Sequence, residues 1–584
     1  MSSGSPATDF SVALLGEFIA LGVRDIVLSP GARSQALALA AAEYERSGAV
    51  RLRVRIDERV AGFLALGLAL ETRTPVLVIT TSGTAVANLH PAVLEAHHSG
   101  VPLILLTADR PLELRGIGSN QTTDQLGVFG TAVRFARDVA APSVADADYP
   151  GELAHEAYSA AAGHSSAPGP VQVNLAFREP LSAPAPAVLP TARRGAWTSA
   201  SRTTVTPLDE CAETIVIAGH GAGPRAEEFA RELGAPLIAE VSSGARFGPQ
   251  LVAASRALLR YREFGGRVRR AVVFGHPTLT REVPALLRRP DVEVVVVRGP
   301  GPEDYNPGHR AHIVDAVEYS GSPAPRSWSG PWVHASRQSL ERLLPAGPDP
   351  LAGGRGAVAE TAKAQLAVFR STVTRRVLVE SVWKVTWPHD RLVLGASRLI
   401  RDADDTVPGK KIRVYANRGL AGIDGTIATA TGIALASEEE GATGTTRVLL
   451  GDLTLLHDVG SLLYGDGEPR PRLQVIVGND GGGTIFDGLE VAATAPRDAL
   501  ERVLFTPQSV DLRALATAYG WNYLLVTNRG ELDEALAPVE GPTIVEVPLA
   551  RREPDAGAGT SAGAGVGTDD GTGDGAGAGS VAPE

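Results

Sequence analysis

The sequence predicts an α/β protein of three doubly wound parallel-sheet domains followed by a disordered tail. Three observations carry that expectation. Short apolar runs alternate with longer stretches of helical composition, the pattern of parallel strands covered on both faces. The runs end in turns such as Ser29-Pro30-Gly31-Ala32-Arg33-Ser34 and Ser82-Gly83-Thr84-Ala85, each opening a helix. Two Pro- and Ala-rich stretches, Glu179 to Pro190 and Pro345 to Gly356, divide 584 residues into pieces that can each bury a core. The predicted units are 1–185, 205–340 and 365–552, with a tail at 554–584.

In the first unit the expected strands are Asp25 to Leu28, Val50 to Ile56, Val76 to Thr80 and Leu103 to Thr107. Asp57-Glu58-Arg59 opens the helix after the second of them, and Ala108-Asp109-Arg110-Pro111 follows the fourth. The second unit has candidate strands at Thr214 to Ala218, Pro236 to Ala239, Ala271 to Phe274 and Val292 to Val297. Its Gly219-His220-Gly221-Ala222-Gly223-Pro224 puts Pro224 where a dinucleotide fingerprint needs its last glycine, so a tight strand-to-helix turn is the better reading. In the third unit the strands are Leu392 to Leu394, Ile412 to Tyr415, Val448 to Leu450, Val475 to Val477 and Thr543 to Val547. After Pro554, Gly, Ala, Asp, Thr and Ser alternate with no apolar face, and such a segment cannot offset the entropy of ordering.

Composition is globular, with 44% hydrophobic and 21% charged residues. The formal charge is −11, of which five negative charges sit in the tail. No clustered positive charge suggests a nucleic-acid or anionic-membrane partner. Cys211 is the only cysteine, so no intrachain disulfide forms and a reducing cytoplasm is the simple expectation. No Lys or Arg precedes Arg24, which argues against the basic region of a secretory leader, and no apolar run is long enough to span a membrane.

The chemistry concentrates in the third unit. Gly451-Asp452-Leu453-Thr454 follows the run Val448 to Leu450, and Asn479-Asp480-Gly481-Gly482-Gly483 follows Val475 to Val477. Both therefore lie at carboxyl ends of buried parallel strands, where open α/β sheets bind ligands. They are 27 residues apart, room for a helix near Leu455 to Leu463 and a return strand. A carboxylate, an amide and a glycine-rich backbone offer hard oxygen ligands suited to Mg²⁺, which shares its sphere with phosphates. Glu58 lies at another strand's carboxyl end, where the plain reading is a first-turn acid that favours the helix dipole. His90, His97 and His98 lack paired ligand spacing and read as structural.

The Asp452/Asn479 arrangement resembles the diphosphate anchor of the thiamine-diphosphate enzymes, with Leu453 and Gly478 departing from the usual GDG and NN. Several segments together are similar to one family within that class, the 2-succinyl-5-enolpyruvyl-6-hydroxy-3-cyclohexene-1-carboxylate (SEPHCHC) synthases of menaquinone biosynthesis. They are the Ser29–Ser34 turn (Ala32 replacing a serine), Asp57-Glu58-Arg59, Thr81 to Asn88, Ala108 to Pro111, Asn120-Gln121, Asn417-Arg418-Gly419 through Gly425, and Gly451-Asp452-Leu453.

The resemblance implies a thiamine-diphosphate transferase that decarboxylates 2-oxoglutarate and adds the four-carbon fragment to isochorismate. It further implies that Asp452, Asn479 and the Gly481 carbonyl bind Mg²⁺ or Mn²⁺, with Leu453 and Gly482 beside the cofactor. Glu58 would activate the aminopyrimidine ring, Ile423 would buttress the bent cofactor, and Ser82 and Gly83 would lie next to it. Ser397, Arg401 and Arg418 would hold 2-oxoglutarate; Arg33 and Gln121, with Arg110 and Arg281, would hold isochorismate. Both substrates are dianions, which suits guanidinium forks. The family also implies at least a homodimer, Glu58 and the diphosphate anchor facing it coming from different subunits. Two alternatives stay open on the residues alone: another thiamine-diphosphate decarboxylase or acetolactate-type synthase, and a non-catalytic α/β protein that holds a phosphate ligand.

Overall fold

The computed structural model describes residues 5–143, 149–164, 166–184, 204–342 and 355–551. The stretches at 185–190 and 345–354 and the tail from 554 lie outside the described residues. Three parallel sheets follow one another along the chain. The first holds β1 (Asp25–Leu28), β2 (Arg51–Val54), β3 (Val76–Thr80), β4 (Leu103–Asp109), β5 (Ala136–Val139) and β6 (Val171–Ala176) in the order β2-β1-β3-β4-β6-β5. The central unit has a small pair, β7 (Val205–Pro207) with β13 (Ala316–Glu318). Its main sheet has the order β12-β11-β10-β8-β9 from β8 (Thr214–Ala218), β9 (Leu237–Ala239), β10 (Arg270–Phe274), β11 (Glu293–Val297) and β12 (His312–Val314). The third sheet holds β14 (Arg391–Leu394), β15 (Arg413–Tyr415), β16 (Thr446–Gly451), β17 (Leu473–Asn479), β18 (Asn522–Leu525) and β19 (Thr543–Pro548). Its order, β15-β14-β16-β17-β19-β18, repeats the connectivity of the first sheet.

The strands expected from apolar runs are present within a few residues of their expected ends. Three of those that were not anticipated, β5, β6 and β18, have a physical reason. β6 buries Gln172 and Asn174, which satisfy each other's neighbourhood by hydrogen bonds to Thr107 and Gln125, so its sequence breaks the apolar pattern. β5 and β18 are half-exposed edge strands and need no such pattern. The helix expected at Leu455 to Leu463 starts at Asp452, ends at His457 and passes into a 3₁₀ turn at Val459–Leu462. The break is at Asp458: its buried carboxylate accepts from the amides of Ile427 (2.7 Å) and Ala428 (3.1 Å), at the head of another helix. Burial pushes that carboxyl up to about 6. Among the described residues no helix is long and apolar enough to cross a membrane.

The first and third units are joined by two helices, Glu58–Thr72 and Thr426–Glu439, buried along most of their lengths. A Cβ at Gly67 would sit 2.0 Å from the Thr429 carbonyl oxygen, and one at Gly432 would sit 2.3 Å from that of Leu64. Backbone thus packs on backbone. Contacts step from Phe63/Gly425 to Gly67/Thr429 to Leu68/Gly432, so the helices run in the same direction with both N-termini at one end. At the other end each helix meets the opposite sheet through a carboxylate. Glu71 accepts from Arg391 (Nε, 3.0 Å), Arg413 (2.9 Å) and the Tyr415 hydroxyl; Glu439 pairs with Arg51 (3.1 Å) and Arg53.

Ala is the better helix former, by about 1 kcal/mol over Gly in an open helix. Gly67→Ala should nevertheless destabilise the protein by roughly 1–3 kcal/mol, the cost of overpacking, because the added methyl meets a backbone carbonyl. Gly299→Ala, where a Cβ meets nothing within 4 Å, should change stability by about 0.5 kcal/mol or less. Thermal and urea unfolding of the two variants check this contrast.

Candidate active site

Asp452 follows β16 directly and Asn479 ends β17; the registered pair Gly451/Gly478 sets them side by side at one sheet edge. Asp452 is 5% exposed. Burial first, and the nearby Asp480 second, push its carboxyl up to about 6, while the amides of Leu453 and Gly482 partly offset this. No Lys or Arg pairs with it among the described residues, whereas Asp480 is neutralised by Arg375 (2.6 Å) and bonded by Thr484. The Asn479 amide group donates to Glu546 (2.7 Å), which turns its carbonyl oxygen toward the glycine turn. Glu546 also accepts from the Tyr523 hydroxyl (2.6 Å). Gly481 takes φ 77 with open space where a Cβ would be, and Gly482 takes φ 123 with the Phe505 carbonyl 2.1 Å from that position. A buried carboxylate without a counter-ion, an oriented amide oxygen and an open glycine turn fit a hard divalent cation.

Beside this anchor lies a surplus of guanidinium charge. Ser397, whose Cβ is 3.9 Å from the Cβ position of Gly451, caps the Arg398–Thr406 helix. Arg401 is half-buried one turn on, and burial, then Arg256 and Arg281, lower its pKa. Arg281 is itself exposed and paired with Glu490 at 3.0 Å. Arg418 is buried and bonded to Thr278, with Nη1 free of any protein acceptor among the described residues. Its loop carries the half-buried Ile423 and bends through Ala421 at φ 58, a conformation a residue with a Cβ rarely takes. A bound anion would relieve the mutual repulsion among these cations.

The first unit presents a second group. A Cβ at Gly31 would lie 2.2 Å from that of Thr81, so the Ser29–Ser34 turn can lie against Thr81 only because that residue is glycine. There the Arg33 amide donates to the Thr81 hydroxyl (3.3 Å). Burial, then Arg110, lower the Arg33 pKa. Arg110 donates to Ser82 Oγ (2.6 Å) and to the Gln121 carbonyl (2.6 Å), and the Gln121 amide donates to the Ser82 carbonyl (2.8 Å). Gln121 has φ 55, so this corner is held in a sparsely populated conformation. Gly83 takes the N-cap position of the Thr84–Asn88 helix, and its amide donates to Gln125 (2.7 Å). Glu58 is half-buried at the first turn of its helix, with Asn88 Nδ2 3.4 Å from its carboxylate.

Within one chain, then, Arg33, Ser82, Gly83, Arg110 and Gln121 gather in the first unit, and Arg401, Arg418, Ser397, Asp452, Asn479, Gly481 and Gly482 in the third. No hydrogen bond or ion pair among the described residues joins Glu58 or the Arg33 group to the Asp452 group. Glu546, Gln125 and Asp458 were not singled out in the sequence. Each acts across a separation that no local pattern encodes: 67 residues from Asn479, 42 from Gly83 and 31 from Ile427. No group of three or more His, Cys, Asp or Glu able to hold a metal is present among the described residues.

The model of the thiamine pyrophosphate enzyme N-terminal TPP binding domain matches residues 10–128. The chain is 61% identical over 578 residues to the 2-succinyl-5-enolpyruvyl-6-hydroxy-3-cyclohexene-1-carboxylate synthase of Leifsonia xyli subsp. xyli, covering 94% of this chain and 97% of the relative. It is 56% identical over 576 residues to the enzyme of the same name from Clavibacter michiganensis subsp. michiganensis, with 94% and 97% covered. The one from Arthrobacter sp. is 45% identical, with 90% and 86% covered. Among solved structures, benzoylformate decarboxylase from Polynucleobacter necessarius superposes with a TM-score of 0.63 at 17% identity, over 94% of this chain and 99% of that one, a likeness of fold.

Glu546→Ala should free the Asn479 amide to rotate. Mg²⁺-dependent uptake of thiamine diphosphate, followed by calorimetry, should then weaken about 10–100-fold, the usual effect of removing a residue that orients a metal ligand, while the melting temperature changes little. Unchanged affinity would mean that the hydrogen bond plays no part in binding.

Proposed function

The chain belongs to the 2-succinyl-5-enolpyruvyl-6-hydroxy-3-cyclohexene-1-carboxylate synthase family, and from that premise we propose that it decarboxylates 2-oxoglutarate and joins the remaining four carbons to isochorismate in menaquinone biosynthesis. Thiamine diphosphate, when bound, supplies the carbon nucleophile and the electron sink that decarboxylation of a 2-oxo acid requires. Asp452, the Asn479 side-chain oxygen and the Gly481 carbonyl would hold Mg²⁺ or Mn²⁺, with Leu453 and Gly482 beside the cofactor. Glu58 would hydrogen-bond the aminopyrimidine ring and so activate the cofactor. Ile423 would buttress the cofactor, and Ser82 and Gly83 would lie beside it.

The observation that carries the substrate assignment is the presence of two separate guanidinium surpluses, one for each dianion. Arg401 and Arg418, with Ser397, bind the carboxylates of 2-oxoglutarate. Arg33, Arg110 and Gln121 bind isochorismate; Arg281, already engaged by Glu490, contributes least. A decarboxylase or acetolactate-type synthase acting on small or CoA-linked acids has less use for so many arginines, and the names of the relatives speak against that reading.

The working unit is a pair of chains. Large apolar side chains stand exposed around both half-sites: Ile56, two residues before Glu58, is 72% exposed, and Leu420 and Leu463 are exposed as well. A second copy covering them brings Glu58 of one chain to the Asp452 anchor of the other. The single cysteine and the absence of a long apolar helix among the described residues suit a cytoplasmic enzyme.

Glu58→Gln should fold and bind the cofactor normally while turnover of 2-oxoglutarate with isochorismate falls by about 10²–10⁴-fold, the range of a lost proton-transfer partner; a near-normal rate would remove Glu58 from the mechanism. Arg401→Ala should raise the KM for 2-oxoglutarate about 10–100-fold, the loss of a charge-assisted hydrogen bond, and leave that for isochorismate within about twofold. An equal rise in both would overturn the division of the arginines.

A further inference from the structure

Arg418 sits where the three units meet. Its Nε donates to Thr278 Oγ1 (3.0 Å) and its Nη2 to the Thr278 carbonyl (3.3 Å), while Nη1 has no protein acceptor among the described residues. Thr278 belongs to the loop after β10 of the central sheet and is held in turn by Glu240, at the end of β9. The amides of Thr278 and Leu279 donate to Glu240 Oε1 at 2.6 and 2.7 Å, and the Thr278 hydroxyl lies 3.5 Å from Oε2. Glu240 is buried, and burial, then Asp404, push its carboxyl well above the usual carboxylate range. From the other side Glu95 of the first unit grips the Arg418 loop through the amides of Gly419 (2.7 Å) and Leu420 (2.9 Å). A Cβ at Gly419 would lie 2.8 Å from Ser99 Oγ, so the loop has no room to slide on that side.

We infer that Glu240 and Thr278, in the central unit, form a positioning pair that aims the free edge of the Arg418 guanidinium at the 2-oxo acid and so sets its affinity. The inference rests on the reading that Arg418 binds 2-oxoglutarate. A guanidinium presents five N–H donors in a rigid fork, so fixing Nε and one Nη2 hydrogen leaves the plane and direction of Nη1 determined. The Thr278 hydroxyl can accept from Arg418 while its own proton faces Glu240, which makes the threonine a joint between the buried acid and the arginine. Neither residue touches substrate; both act through Arg418. The central unit thereby does more than support the other two, since it determines the direction of a binding group carried by the third.

Steady-state kinetics on the full-length, cofactor-loaded enzyme test this. Thr278→Val removes the hydroxyl at constant shape and should raise the KM for 2-oxoglutarate about tenfold, with kcat, the isochorismate KM and the melting temperature nearly unchanged. Thr278→Ser restores the hydroxyl and should return that KM to within about twofold of the parent. Glu240→Ala should raise the same KM, and in combination with Thr278→Val should add little, because two members of one unit are not independent. A rise in both substrates' KM values, failure of Thr278→Ser to restore binding, or effects that multiply in the double variant would overturn the pairing. Should Glu240→Ala fail to fold, the valine and serine variants decide alone. If the parent enzyme itself released no CO₂ from 2-oxoglutarate, the functional reading would fall. A working parent with an indifferent Thr278→Val would sink the positioning pair only.

Discussion

The structure depends on one close helix crossing. Gly67 and Gly432 let the Glu58–Thr72 and Thr426–Glu439 helices approach until backbone meets backbone. Because the helices run in the same direction and each follows the carboxyl end of a strand, the ligand-binding edges of the first and third sheets come to lie at the same end of the molecule. Glu71 and Glu439 close the opposite end, each reaching arginines at the start of the other sheet's strands. These carboxylates and guanidiniums are partnered on several sides, the condition under which buried charge is tolerated. The two sheets share a strand order, and the crossing relates them as approximate mates.

Charge is distributed differently at the other end. Away from the carboxyl ends of the strands, buried acids such as Asp390 and Glu71 are paired with bases, Arg447 and Arg391. At the strand ends, Asp452 has no cation, and Arg401 sits among other cations with its charged form disfavoured. Leaving these charges unsatisfied has a cost, which a ligand of opposite sign would offset. The glycine turn at 481–483 and the left-handed residues Gln121 and Ala421 lie at the same edges, so backbone strain and unpaired charge coincide.

Much of the site was legible in the sequence because its positions are local. An apolar run that stops at Asp452 or Asn479 marks a strand end, and a helix start at Glu58 follows from Asp57, whose side chain caps the amides of Arg59 and Val60. Those features depend on residues within a few positions of one another. Gln172 and Asn174 show where the pattern fails, since a buried strand that carries polar side chains for hydrogen bonding no longer reads as an apolar run.

The sequence by itself determined the α/β class, the strand ends that bear the candidate ligand residues and, through its motifs, the enzyme family. Only the tertiary structure decided that Asp458 breaks one helix to cap another, that Glu546 orients Asn479, and that Glu240 reaches Arg418 through Thr278. The reason is physical. Alternation and helix periodicity arise from neighbours a few residues apart, whereas the partner of a buried carboxylate is chosen by which surfaces the packed sheets and helices bring within about 3 Å, and residues 140 or 178 apart in sequence carry no local trace of that choice.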